Sequence, residues 1–281
     1  MNSEEINNSV NGHSRVTLSE IRELLRRRYF RALVAVRVVG QIGDGMVQAA
    51  LATFVLFSPE RQANALNAAL AFAVVLLPYS LIGPFVGTIL DRISRQRAIM
   101  FSNLTRSATL SVIAFLIFQG RTGVELTIFV LIAFGVNRLI LAGLSAGIPL
   151  MIESKSLISA NALAVTGGSV WVVLGGGIGL GLRRLLNGDT TADHADGYII
   201  LVAAAGYLVA ALFASLLKKK EIGPLDHEIK NASFAQGIIE MREGIRFLRQ
   251  HIDAARGIAA IAIHRGGITA LTLIALLLER N

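Results

Sequence analysis

The stretch GTILDRISRQR, Gly87 to Arg97, carries four charges, Asp91, Arg92, Arg95 and Arg97, between two long apolar runs at residues 64–90 and 99–118. Three of the four are basic. A tight basic knot between two oily segments reads as a short turn on the positive side of a membrane.

Composition supports that setting. Of the 281 residues 53% are hydrophobic and 16% charged, and the mean hydropathy is +0.60. A soluble domain carries about 25% charged residues. Seven runs have the roughly 20 mostly apolar residues that a spanning helix needs: 33–57, 64–90, 99–118, 124–150, 157–182, 198–217 and 257–278. They are too continuous for barrel strands, which alternate over segments of ~10 residues. Helices satisfy their own backbone in lipid, so the fold class is an all-α polytopic membrane protein.

The net charge of +8 is placed by topology. With the N-terminus in the cytoplasm, the inside segments 1–32, 91–98, 151–156 and 218–256 hold 18 of the 27 Lys and Arg residues, and the outside segments hold five. This is the positive-inside pattern, and it predicts a multi-pass protein of the cell (plasma or inner) membrane with the lipid bilayer as its partner. The basic charge is thereby accounted for without nucleic acid, whose binding needs a basic face that reaches the duplex. Cysteine is absent, so redox compartment is not legible.

Residues 1–14 are polar and read as a disordered cytoplasmic tail, without the apolar core of a signal peptide. Thr17-Leu-Ser-Glu20 has the capping-box form. It opens an amphipathic helix over 15–32, expected at the cytoplasmic lipid surface, with Leu18, Ile21, Leu24 and Leu25 apolar and Arg22, Arg26, Arg27 and Arg28 basic. A six-helix bundle follows over 33–217. Its outer loops, at Pro59–Arg61, Gly120–Arg121 and 183–197, are short. Residues 218–256 form a basic cytoplasmic link, in which Ser233–Gln236 caps a second amphipathic helix bearing Ile238, Ile239, Ile245, Phe247 and Leu248. The seventh span, 257–278, and the tail 279–281 complete the chain.

An ionisable group in a spanning helix points to function, because burial there costs at least ~2.5 kcal/mol at the helix centre. Arg37, Gln41, Asp44 and Gln48 are spaced four, three and four apart, which keeps them on one side of the first span. Asp44 lies 11 residues beyond position 33, roughly 17 Å at the helical rise. The stripe reads as the lining of a path with Asp44 as a proton or cation site. The alternative is a hydrogen-bonded cluster that holds helices together. The fourth span adds Asn137, Arg138 and Ser145, with Arg138 set to pair with Asp44 or with an anionic substrate group. Arg106 and Arg265 are expected to snorkel to the cytoplasmic surface. Gly175, Gly177, Gly179 and Gly181 form small-xxx-small pairs for helix packing. They do not form a nucleotide loop, since no strand precedes them and no Lys-Ser/Thr follows. His13, His194, His227, His251 and His264 are scattered without metal-ligand spacing. No metal, cofactor or catalytic constellation is predicted.

Gly87, Asp91, Arg92 and Arg95, placed between spans two and three, resemble the loop signature of major facilitator superfamily transporters. Ser94 stands where that signature has Gly, and Gln96 where a second basic residue is common, with Arg97 beside it. Gln41-Ile-Gly-Asp44-Gly is similar to the exporter branch related to enterobactin and multidrug efflux. Arg138 resembles the family's mid-helix Arg, and the span-five glycines resemble its antiporter signature without the Pro. The resemblance implies twelve helices in two six-helix halves, alternating access, and an inside gate built from Gly87, Asp91, Arg92, Arg95 and Arg97. The chain reads as the first half plus one helix, and the gate's partner helix belongs to the second half.

The expected function is a secondary transporter, a proton-coupled exporter of an amphipathic small molecule, present as an N-terminal portion. Asp44 would couple the proton, and Arg37, Gln41, Gln48, Asn137 and Arg138 would line the substrate path. One alternative is a non-transporting truncated product, or a half that needs a partner chain, the missing C-terminal half. A weaker one is a polytopic membrane enzyme using Asp44 as general acid.

Overall fold

The structure is a computed structural model of the chain and describes residues 18–56, 86, 89–90, 93–121, 123–186, 191–218, 222–223 and 234–279. Every long element is a helix: α1 (Leu18–Arg26), α2 (Arg28–Leu56), α3 (Arg95–Phe118), α4 (Val124–Met151), α5 (Leu157–Leu186), α6 (Ala192–Ser215), α7 (Phe234–Gln250) and α8 (Ile252–Glu279), with one short 3-10 turn, Ser154–Ser156, before α5. No strand occurs among the described residues. By length and composition α3, α4, α5 and Asp193–Ser215 of α6 can each cross a membrane, and α2 and α8 have the length, with 29 and 28 residues. The chain is an all-α, multi-pass membrane protein. The expected second span, 64–90, lies almost wholly outside the described residues, as do the tail 1–14 and the loop at Pro59–Arg61.

Local chemistry sets the helix ends. Ser94 is the N-cap of α3, its hydroxyl accepting from the Arg97 backbone N–H at 3.4 Å. That is a local use for the serine that replaces glycine in the loop signature. The far end of α3 closes on Gly120 at φ 65°, with Arg121 N–H on the Leu116 carbonyl and Gly120 N–H on that of Ile117. This is a Schellman closure, which needs the left-handed residue that glycine supplies without strain. Thr191 caps α6 through the His194 N–H.

In the bundle α2 packs on α5 and α6, and α3 packs on α4 and α6. The α2–α5 crossing is a backbone contact. A Cβ on Gly45 would run into the Val172 carbonyl, and one on Gly175 into the Ile42 carbonyl, while Gly179 lies over Met46 and Ala49. Small residues permit this approach where lipid gives helices no hydrophobic drive to associate. Of the four glycines expected to pack, Gly175 and Gly179 do so. Gly177 and Gly181 meet nothing within 4 Å among the described residues.

Three expectations are corrected. The surface helix 15–32 is divided by a bend at Arg27, so residues 28–32 belong to α2, and Phe30 and Leu24 are buried in the bundle core. The apolar side of α1 therefore meets the bundle through Leu24, not only lipid. The loop 183–197 is mostly helical: α5 continues to Leu186, α6 starts at Ala192, and Arg183 Nε pairs with buried Asp196 at 3.0 Å. Arg106 does not snorkel. It is fully buried in the middle of the bundle, because a carboxylate waits for it there.

Candidate functional site

The carboxylate is Asp44, 3% exposed. Four side chains from four helices donate to it. Oδ1 receives Arg106 Nη2 from α3 and the Tyr207 hydroxyl from α6 at 2.8 Å. Oδ2 receives Asn137 Nδ2 from α4 at 2.9 Å and Gln41 Nε2 from α2 at 3.3 Å. The second nitrogen of Arg106, Nη1, donates to the Ala133 carbonyl at 2.6 Å, one turn before Asn137. Its guanidinium also lies 4.8 Å from the Tyr207 ring centroid. An ion pair survives burial when its remaining hydrogen-bonding groups are also satisfied; the network does this for both carboxylate oxygens and both Nη atoms, while Arg106 Nε has no hydrogen-bond partner among the described residues.

The sequence builds the seat for Tyr207. Gly40 and Gly43 flank Gln41-Ile42 on the side of α2 that faces α6, and a Cβ on Gly43 would come within 3.0 Å of the Tyr207 ring. The ring drops into that gap and brings its hydroxyl 2.9 Å from the Gly40 carbonyl and 2.8 Å from Asp44 Oδ1. A phenol has one proton to donate. Both neighbours are acceptors while Asp44 is ionised, so the hydroxyl serves one at a time.

The expected path residues divide. Arg37, Gln41, Asp44 and Asn137 are buried and share this region. Gln48 faces the same way as Asp44 but lies a turn further along, beyond the cover of Asn137, Arg106 and Tyr207, and is exposed. Arg138 follows Asn137 by 100° around α4, points off the cluster and is exposed. The pairing of Arg138 with Asp44 is thus replaced by that of Arg106. Arg37 Nη1 reaches Ser145 Oγ of α4 at 3.4 Å, and its Nε has no hydrogen-bond partner.

Of the residues expected to form a gating loop, Gly87, Asp91 and Arg92 lie outside the described residues. Arg97 is exposed. Arg95 ties three segments together. Its Nη1 donates to the Ala146 and Ile222 carbonyls at 3.3 Å each, and its backbone N–H donates to the Gly223 carbonyl at 3.0 Å. Ile222, from the start of the 218–256 link, is fully buried beside Gly147.

Arg106 and Tyr207 are the cluster members that sequence reasoning did not assign. Tyr207 had a signal: a hydroxyl in the middle of an apolar span must find a partner.

The chain is 32% identical over 271 residues to an uncharacterized MFS-type transporter of Mycobacterium bovis and, equally, to one of Mycobacterium tuberculosis. Each match covers 96% of this chain and 61% of the relative, so the chain spans less than two thirds of the length of these relatives. No family model and no solved structure matches. The relatives bear out the resemblance to major facilitator transporters carried by the Gly87–Arg97 stretch.

Proposed function

We propose that this chain forms the first helical bundle of a major facilitator secondary transporter, a proton-coupled exporter of an amphipathic small molecule. In this reading it is not an enzyme, and it sits in the cell membrane with its N-terminus in the cytoplasm. Asp44 is the proton or cation site. Arg37, Gln41, Gln48, Asn137 and Arg138 line the substrate path. Gly87, Asp91, Arg92, Arg95 and Arg97 form the inside gate, which works against helices that this chain would meet in the assembled transporter.

The observation that carries the proposal is the convergence of α2, α3, α4 and α6 on one buried carboxylate. A proton on Asp44 removes the counter-charge of Arg106 and turns one acceptor oxygen into a donor. Tyr207 then accepts from Asp44 and donates to the Gly40 carbonyl, which already lies within reach. The network therefore has two hydrogen-bonding arrangements, selected by one proton, and both involve the same four helices. Coupling requires such an element with two discrete states.

The test is efflux from vesicles containing the full-length protein, scored per folded molecule at matched pH gradients. Asp44→Asn should abolish the proton-coupled component. Unchanged efflux would remove Asp44 from that role.

A second reading is favoured by the completeness of the network. Asp44 and Arg106 are 3% and 1% exposed, and both carboxylate oxygens are doubly engaged, as a purely structural clasp would be. That reading predicts that Asp44→Asn combined with Arg106→Gln transports with its proton coupling retained.

A further inference from the structure

The buried cluster is not electrically balanced. Arg106 and Asp44 neutralise one another, whereas Arg37, 9% exposed, makes no ion pair among the described residues. Of the five N–H groups on its guanidinium, one is engaged among the described residues, with Ser145 Oγ at 3.4 Å. Nε is buried and has no partner. A buried guanidinium without a counter-charge is destabilising, and at 9% exposure it has not escaped to water by snorkelling.

A glycine, Gly168, lets Nε and Gln41 Oε1 approach α5 closely. A Cβ on Gly168 of α5 would lie 3.3 Å from Arg37 Nε, and one on the preceding Gly167 would meet nothing within 4 Å. Thr166 and Ser169, both exposed, flank this pair. Further along the same strip of α5, Trp171 and Ile178 are exposed and apolar. A guanidinium with an unpartnered Nε therefore meets a glycine pair of α5, with apolar residues further along that helix.

We infer that Arg37 and the Gly167–Gly168 pair form a subsite for the anionic oxygen group, carboxylate or phosphate, of an amphipathic ligand. The inference rests on the reading of Arg37 as part of the substrate path and adds the sign of the substrate's charge. Arginine suits the task, because its fixed fork matches the spacing of carboxylate and phosphate oxygens. Asp44, already saturated by Arg106, Tyr207, Asn137 and Gln41, does not compete for it.

The test needs no transport. Trp171, the sole tryptophan, lies one turn from Gly168 and reports binding by its fluorescence. The full chain in neutral detergent is titrated with dodecyl phosphate and with dodecyltrimethylammonium as the cationic match. A saturable response to the phosphate alone is expected, and excess inorganic phosphate should displace it. Loss of charge-assisted hydrogen bonds should raise the half-saturation concentration at least ~10-fold in Arg37→Gln. Gly168→Ala should weaken binding while leaving Arg37 charged. Arg37→Lys, which keeps the charge without the fork, should fall between Arg37→Gln and the unaltered chain.

Equal saturation by the cation, or an unchanged titration in Arg37→Gln, overturns the subsite. If Arg37→Gln does not fold, the phosphate competition and Gly168→Ala decide the matter in the same way. Repeating the titration in phosphatidylcholine and phosphatidylglycerol nanodiscs separates the sources of the anion. Competition by phosphatidylglycerol assigns the site to a lipid headgroup, and its absence assigns it to a free substrate. An absence of export with this binding intact removes the transport reading and leaves the site. Export that persists while binding is missing does the reverse.

Discussion

Arg106 on α3 is the counter-ion of Asp44 on α2, with side-chain exposures of 1% and 3%. Removing one partner of such a pair leaves the other charged in a dry interior, a loss of about 3–5 kcal/mol. Arg106→Gln should therefore destabilise the bundle strongly in detergent unfolding. Adding Asp44→Asn to it should return part of the loss, because the orphaned carboxylate is gone. A double variant no more stable than Arg106→Gln alone would show that the two charges do not act on each other.

Tyr207→Phe isolates the hydroxyl from the ring. The ring and its contact with the Arg106 guanidinium remain, while the bond to Asp44 Oδ1 is lost. A hydrogen bond to a charged group is worth about 1.5–3 kcal/mol, and Tyr207→Phe should lose that much in thermal unfolding. Tyr207→Ala also empties the gap over Gly40 and Gly43, and large-to-small aromatic changes cost about 3–5 kcal/mol. No loss in Tyr207→Phe would mean that the hydroxyl contributes nothing, and equal losses in the two variants would mean that the ring contributes nothing.

How far the sequence foresaw this arrangement depends on the kind of information each feature needs. Apolar runs and the basic loop at Asp91–Arg97 are local, and they give the all-α membrane class. The placing of Arg37, Gln41 and Asp44 on one side of a helix follows from spacing alone. Which arginine meets Asp44 is a different question, because it depends on how α3 and α4 are rotated about their axes. Arg138 lies beside Asn137 in the chain, yet only Asn137 faces α2. Arg106 had the reach to snorkel, but reach does not reveal a buried carboxylate at the same depth. The glycines show the same limit. Periodicity nominates all four from Gly175 to Gly181, and the direction of α2 selects Gly175 and Gly179.

That selection makes a sharp contrast. Gly175→Ala places a methyl against the Ile42 carbonyl and Gly45→Ala places one against that of Val172. Backbone cannot yield as a side-chain tip does, and overpacking costs about 1–3 kcal/mol. Gly177→Ala meets nothing within 4 Å among the described residues and gains helix propensity of about 1 kcal/mol. Unfolding midpoints should fall for the first two variants and hold or rise for Gly177→Ala. A drop for Gly177→Ala equal to that for Gly175→Ala would mean that the α2–α5 contact is not what distinguishes them.

Arg95, proposed for the gate, also fastens a neighbouring segment. Its side chain holds the Ile222 carbonyl and its N–H holds that of Gly223, so the Ile222–Gly223 segment is fastened to the first turn of α3. Ile222, at 0% exposure, lies beside Gly147 of α4 and anchors the same segment by packing. Ile222→Ala should cost about 2–5 kcal/mol, as other buried truncations do. Gly223 has φ 69°, so Gly223→Ala adds the left-handed penalty of about 1–2 kcal/mol. Both variants should speed amide hydrogen exchange at Arg95, whose N–H is held by Gly223, more than at Ser107 in the middle of the same helix. Exchange at Arg95 that is unchanged in both would detach this segment from the first turn of α3. Faster exchange confined to Arg95 and its turn would show that movement of the segment is felt at the residue proposed for the gate.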